Sequence, residues 1–169
     1  MVYYFQEQDI DNTFEFIDSE YTTQESVPNY REDEEGMGRL YSLLDSLQLD
    51  YYPKLIDKAS RLLIETCLGH YFYNGNKRLA ISAYYGFLLF NNQSIKICTN
   101  KEYEDSIRRE FGDYDFSEEN LQDEEPLVGS DFFMYHISIL IADHSKHSNS
   151  YDDMKNKVKT ILEQFVEAL

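Results

Sequence analysis

The residues of this chain whose types and spacing could do chemistry lie together in "GHYFYNGNKRLAISAYYGFLLFNN", Gly69 to Asn92. His70 stands six residues before Asn76. A histidine, with an ordinary pKa of about 6.5, is suited to take a proton from an attacking hydroxyl. Gly75, Asn76, Lys77 and Arg78 lead directly into an apolar block, which puts them at the N-terminus of a buried helix. Backbone N–H groups and the positive end of the helix dipole make such a place an anion site. Gly75 lets the backbone come close to a ligand, and Asn76 caps or donates through its amide. Lys77 and Arg78 add formal charge, and an arginine can grip a phosphate with two parallel hydrogen bonds. A base on one side of a short loop and an anion cradle on the other are equipment for moving a phosphorus-containing group onto an alcohol. In such transfers, positioning and charge stabilisation do most of the work.

Two helices must hold that loop. Before it, "DYYPKLIDKASRLLIETCLG" carries Leu55, Ile56, Ala59, Leu62, Leu63, Thr66 and Cys67 on one face. Pro53 suits its first turn, with Asp50 or Tyr51 nearby as its start, and Gly69 is placed as its terminator. After the loop, the segment from Asn76 is apolar nearly all round, the mark of a central core helix. An earlier helix is predicted over "GMGRLYSLLDSLQ", with Met37, Leu40, Tyr41, Leu44 and Leu47 on one face. "NQSIKICTN" reads as a turn and a short extended piece, and Thr99 with Glu102 fits a capping box opening the next helix. Ser130 is expected to cap "DFFMYHISILIADHSKH", and Ser150 with Asp153 to cap a final amphipathic helix, "YDDMKNKVKTILEQFVEAL". Residues 1–35 are the least regular, an N-terminal arm or flap in which partial alternation over Thr13–Tyr21 permits a strand. The expectation is an all-α fold, residues 36–169 forming one compact helical domain with a small β-hairpin or flap.

Composition narrows the function classes. With 32 acidic and 15 basic residues the net charge is −17, which disfavours a nucleic-acid partner, since duplex affinity comes from lysines and arginines neutralising phosphates. The same charge weighs against docking on anionic membranes. The apolar run after the loop is too short to span a bilayer, and no basic, signal-like segment opens the chain, so the expected location is the cytoplasm. Cys67 and Cys98 are read as reduced thiols rather than a disulfide. His136, inside "FFMYHISILI", is read as a hydrogen-bonded core or boundary histidine. Asp143, His144 and His147 have a spacing that could hold a metal, but helix-end polarity explains them better. Arg108 and Arg109 are expected to pair with Glu102, Glu104 and Asp105 on their own helix, and the acidic run Asp113–Glu125 reads as a solvated loop.

The run His70-Tyr71-Phe72-Tyr73-Asn74-Gly75-Asn76-Lys77-Arg78 resembles the signature of the Fic/Doc family, H-P-F-x-[D/E]-[G/A]-N-[G/K]-R. It is closest to the Doc-like branch, which ends in N-K-R followed by small and apolar residues. The resemblance extends over about residues 36–98. It implies a compact all-α core, ATP with Mg2+ as cosubstrate, and transfer of AMP, or in Doc-like members a phosphoryl group, to a Ser, Thr or Tyr hydroxyl of a target protein. By position it implies His70 as the catalytic base, Phe72 as the inward anchor of the loop, Gly75 and Asn76 as the anion hole, and Arg78 as a ligand of the nucleotide phosphates. Lys77 stands where AMP-transferring members usually have glycine, where a bulky cation fills part of the phosphate pocket and could change which phosphorus faces the acceptor. Three departures stand out: Tyr71 replaces a proline, Ile81 replaces the second arginine of longer motifs, and Asn74 replaces the metal-binding acid. A neutral amide is a weak magnesium ligand. Many relatives are toxins restrained by an antitoxin or by an inhibitory helix of pattern [S/T]-x-x-x-E-[G/N]; no convincing instance occurs in the chain, so restraint would come from a separate partner. The alternative is a catalytically impaired Fic-fold protein that binds a nucleotide or protein without turnover.

Overall fold

The computed structural model of the chain describes residues 2–21, 29–49, 51–117 and 126–169. The fold is all-α with one small β element. Helices α1 (Glu7–Tyr21), α2 (Glu34–Leu47), α3 (Leu55–Leu68) and α4 (Asn76–Phe90) come first, with a short 3-10 turn at Tyr30–Glu32 ahead of α2. After strand β1 (Gln93–Ile95) follow α5 (Asn100–Phe111), α6 (Gly129–Ala142), the single turn α7 (His144–His147), α8 (Tyr151–Phe165) and strand β2 (Val166–Ala168). β1 pairs with β2 in a two-stranded sheet. The chain divides into two compact units, residues 1–94 with 168–169, and residues 95–167.

In the first unit, the strand permitted over Thr13–Tyr21 is instead part of α1. Ile10, Phe14 and Ile17 are buried, and their spacing of four and three residues is the period of one helical face, not of a strand. The carboxylate of Asp9 accepts hydrogen bonds from Gln6 N–H at 2.8 Å and from Tyr3 O–H at 2.9 Å, tying off the start of α1. Asp33 caps α2 by accepting from Gly36 N–H at 2.8 Å. Pro53 lies just ahead of Lys54, the N-cap of α3, rather than inside its first turn; Asp50 lies outside the described residues.

α3 and α4 form the central pair. Ala59, Leu62 and Leu63 of α3 and Leu79, Ala80, Ala83 and Phe87 of α4 are fully buried, and the alanines let the two helices approach closely. Lys58 is buried too, its ammonium donating to the carbonyls of Leu47 and Leu49 past the end of α2 and lying 5.2 Å above the Tyr4 ring. A cation there satisfies carbonyls that the helix cannot and complements its dipole. The N-terminal segment crosses the far end of α4, where Asn91 accepts from Tyr3 N–H and donates to Tyr3 O.

In the second unit the predicted capping box of α5 is present: Thr99 Oγ1 accepts from Glu102 N–H while the Glu102 carboxylate accepts from Thr99 N–H at 2.8 Å. Ser150 caps α8 as expected. Ser130 does not cap α6, which begins one residue earlier, with Gly129 N–H donating to the Asn100 side chain at 2.8 Å. The final residues leave the helix at Val166 to form β2. Arg108 lies 4.7 Å above the Phe116 ring and donates to Tyr114 O, and Arg109 donates to the Gln164 side chain, neutral partners in place of the carboxylates expected. Of the acidic run Asp113–Glu125, residues 118–125 lie outside the described residues.

His136 is completely buried among Phe116, Phe132 and Tyr135, its Nδ1 3.1 Å from Tyr114 O–H and its Nε2 without a partner. Burial lowers its pKa to about 4, against a smaller opposing pull from Asp115. The unfolded chain therefore binds a proton between about pH 6.5 and 4 that the folded chain refuses, and stability falls as pH drops through that window. The expected loss is about 3 kcal/mol. Urea unfolding across that range should give a shallower pH slope for His136→Phe than for the parent; equal slopes would rule the histidine out as the cause.

Candidate functional site

The nine-residue signature occupies the α3–α4 connection. α3 closes at Gly69, whose N–H donates to Glu65 O at 2.8 Å and whose backbone stays right-handed. The left-handed conformation that usually falls on a terminating glycine falls instead on His70, at φ 43°. Gly69 is needed for a different reason: a Cβ there would sit 2.6 Å from Cζ of the Tyr71 ring, which folds back over it. His70 is exposed, and its backbone strain is of the kind held in place by surrounding structure.

That structure is the Phe72–Asn76 segment. Phe72 turns inward, 3% exposed, with its ring edge-on to Tyr30 at 5.0 Å and to Phe14 at 6.5 Å. Tyr30 also donates its hydroxyl to Gly75 O at 3.1 Å, so one side chain braces both ends of the loop's inner half. The buried amide of Asn76 accepts from Phe72 N–H at 3.1 Å and donates to Phe72 O at 2.7 Å. Gly75 takes φ 75°, a conformation that favours glycine, and this lets the chain enter α4 directly. The first backbone N–H groups of α4 have no intrahelical acceptor. Lys77 is exposed and Arg78 half-buried on the same turn. Cys67 beneath is buried, its thiol pushed up to about 12 by burial against a small opposing effect of Lys77.

The structure thus brings His70, Gly75, Asn76, Lys77 and Arg78 onto one loop and one helix turn, with Phe72 as a buried plug. Tyr73 and Asn74 point outward. Asn74 is a poor basis for a metal centre. Residues His70–Arg78 contain no carboxylate, and among the described residues no group of three or more His, Cys, Asp or Glu could hold a metal ion. These residues do not fit a magnesium ion held by the protein, which favours charged oxygen ligands. At α7, Asp143 pairs with Lys146 at 2.8 Å and His147 packs on the Tyr114 ring, so this cluster is explained by packing and pairing.

Tyr30, Phe14 and Gly36 are the site's missed residues. A Cβ on Gly36 would lie 2.7 Å from the Phe72 ring, so α2 approaches the loop by virtue of that glycine. Nothing local in "NYREDEEG" marks Tyr30 or Gly36, because their partners lie some forty residues away. No protein-family model, curated protein or solved structure matches the chain.

Two substitutions test the geometry. Asn76→Ala strands two backbone groups of Phe72 in a buried setting and should cost about 2 kcal/mol in unfolding free energy, read by thermal or urea denaturation. His70→Gly relieves the left-handed Cβ contact and should leave stability unchanged or raise it by about 1 kcal/mol relative to His70→Ala.

Proposed function

We propose that the chain is a Fic/Doc-like transferase that moves AMP, or a phosphoryl group, from ATP to the hydroxyl of a Ser, Thr or Tyr on a target protein in the cytoplasm. The observation that carries the reading is the double hydrogen bond of Asn76 to Phe72, which joins His70 and the N-terminus of α4 through one braced loop. In this reading His70 accepts the proton of the target hydroxyl as its oxygen attacks phosphorus. Attack at the α-phosphorus releases pyrophosphate and leaves AMP on the target; attack at the γ-phosphorus releases ADP and leaves a phosphoryl group. The α4 N-terminus, Lys77 and Arg78 offset the negative charge that develops on the phosphate oxygens. A toxin restrained by a separate antitoxin-like partner is the biological setting that the resemblance suggests.

Asn74 favours a second reading. An exposed neutral amide in place of an acid, on a loop without carboxylates, suits a domain that keeps the fold and binds nucleotide or protein without turnover. Incubation with α- or γ-labelled ATP, magnesium or manganese, and a cell lysate separates the two. The transferase reading expects label on a protein, from the α position for AMP or the γ position for phosphate, and lost on His70→Ala. Absence of label from both nucleotides, with Asn74→Asp equally silent, sinks it in favour of the binding module.

A further inference from the structure

Strand β1 has an open edge. It pairs with β2 in an antiparallel ladder, in which Lys96 N–H donates to Phe165 O at 2.7 Å and Leu169 N–H to Asn92 O at 3.0 Å. Hydrogen-bonded positions in such a ladder recur at every second residue, so Asn92, Ser94 and Lys96 face β2. Gln93 and Ile95 turn their N–H and C=O groups to the other edge, where among the described residues no hydrogen bond reaches them. Proteins commonly guard such an edge with charge, yet no charged residue occurs from Leu79 to Ile95. The cation that follows, Lys96, has its ammonium bound to Gln164 O at 2.6 Å. Exposed apolar surface adjoins the strand. Leu89 and Phe90 close α4 at 56% and 49% exposure, and the exposed Tyr3 sets its ring 5.2 Å from that of Phe90. Only Asn91 and Asn92 separate Phe90 from β1, a span of at most about 11 Å.

We infer that the open edge of β1 and the apolar end of α4 join a second copy of this chain about a two-fold axis beside Ser94. Antiparallel pairing of β1 with its own copy sets each Gln93 opposite the other chain's Ile95. The outward N–H and C=O groups of both residues then find their partners across the axis, the self-complementarity that a closed dimer needs. Charge selects the occupant. Two chains of net charge −17 repel wherever their acidic faces meet, and the uncharged Leu79–Ile95 segment lets them meet without a carboxylate between them. A basic partner would be drawn to the acidic faces instead. β2 is the poorer edge for self-pairing, because Glu167 stands at its centre and would oppose its own copy. The inference is independent of what the signature loop does.

The test is analytical ultracentrifugation of the full chain over concentrations reaching the range of a weak, small interface. Mass should rise from one chain to two and no further. Added salt should strengthen the association, because it screens the carboxylates that hold the copies apart. Phe90→Glu sets like charges against each other across the axis and should raise the midpoint concentration roughly tenfold or more. Phe16→Glu puts the same charge on an exposed ring of α1, two residues from the Phe14 that meets Phe72 at the loop, and should leave the midpoint unchanged. Hydrogen exchange read by NMR reports on the edge itself: the amides of Gln93 and Ile95 should gain protection in step with the rise in mass. A single chain at every concentration overturns the inference, as does a dimer indifferent to Phe90→Glu. Amides of Gln93 and Ile95 that exchange equally fast on both sides of the midpoint rule out the strand pairing, and growth beyond two copies rules out the closed two-fold contact.

Discussion

The site hangs on the carboxamide of Asn76. Its oxygen accepts from the N–H of Phe72 and its nitrogen donates to the carbonyl of the same residue, closing the loop on itself with both functions of one short side chain. An aspartate would lose the donor, a leucine both, and a glutamine would be too long for the same span. Because the groups are buried, leaving either unmade would cost more than the bond itself contributes. The bracket also fixes direction. With Phe72 held against the first turn of α4, its ring must point inward to Tyr30 and Phe14, and the chain before it must turn sharply. That turn is where His70 acquires its positive φ.

Holding a histidine in a left-handed conformation costs stability, and the structure offsets it by burial around the loop rather than at it. Three elements converge on Phe72: α1 through Phe14, the 3-10 turn through Tyr30, and α2 through the bare backbone of Gly36. The apolar α4 then anchors the loop's other end in the core. An exposed, strained residue between two rigid supports keeps the conformation those supports impose.

Much of this was legible in the sequence, and the division has a physical basis. The helical periods of α2, α3 and α4 and the caps at Thr99 and Ser150 are local properties, set within one or two turns. The signature loop was legible because its residues serve one another: Asn76 reaches back four positions, and Gly75 turns the chain one position before the helix. The failures are nonlocal or depend on small differences. Thr13–Tyr21 alternates weakly enough to read as a strand, and only the burial of Ile10, Phe14 and Ile17 against other elements decides for helix. The rings that pack on Tyr30 and the carbonyl that its hydroxyl meets lie far along the chain, and Gly36 matters for what it lacks. The last residues continue the amphipathic pattern of α8 yet pair as β2, since a strand partner outweighs a helical end free to fray.

Charge placement sets the loop and α4 apart from the rest of the chain. Between Glu65 and Glu102 there is no acidic residue, although the chain has 32 of them. A net charge of −17 repels a polyphosphate from most directions, and the repulsion is worst where carboxylates cluster. The loop and α4 contribute no carboxylate of their own to that repulsion, and they carry Lys77 and Arg78 in the first turn of the helix. Glu65, in the last turn of α3, is the last acid before that gap. The acid-free stretch of the chain therefore opens at the end of α3, just before His70.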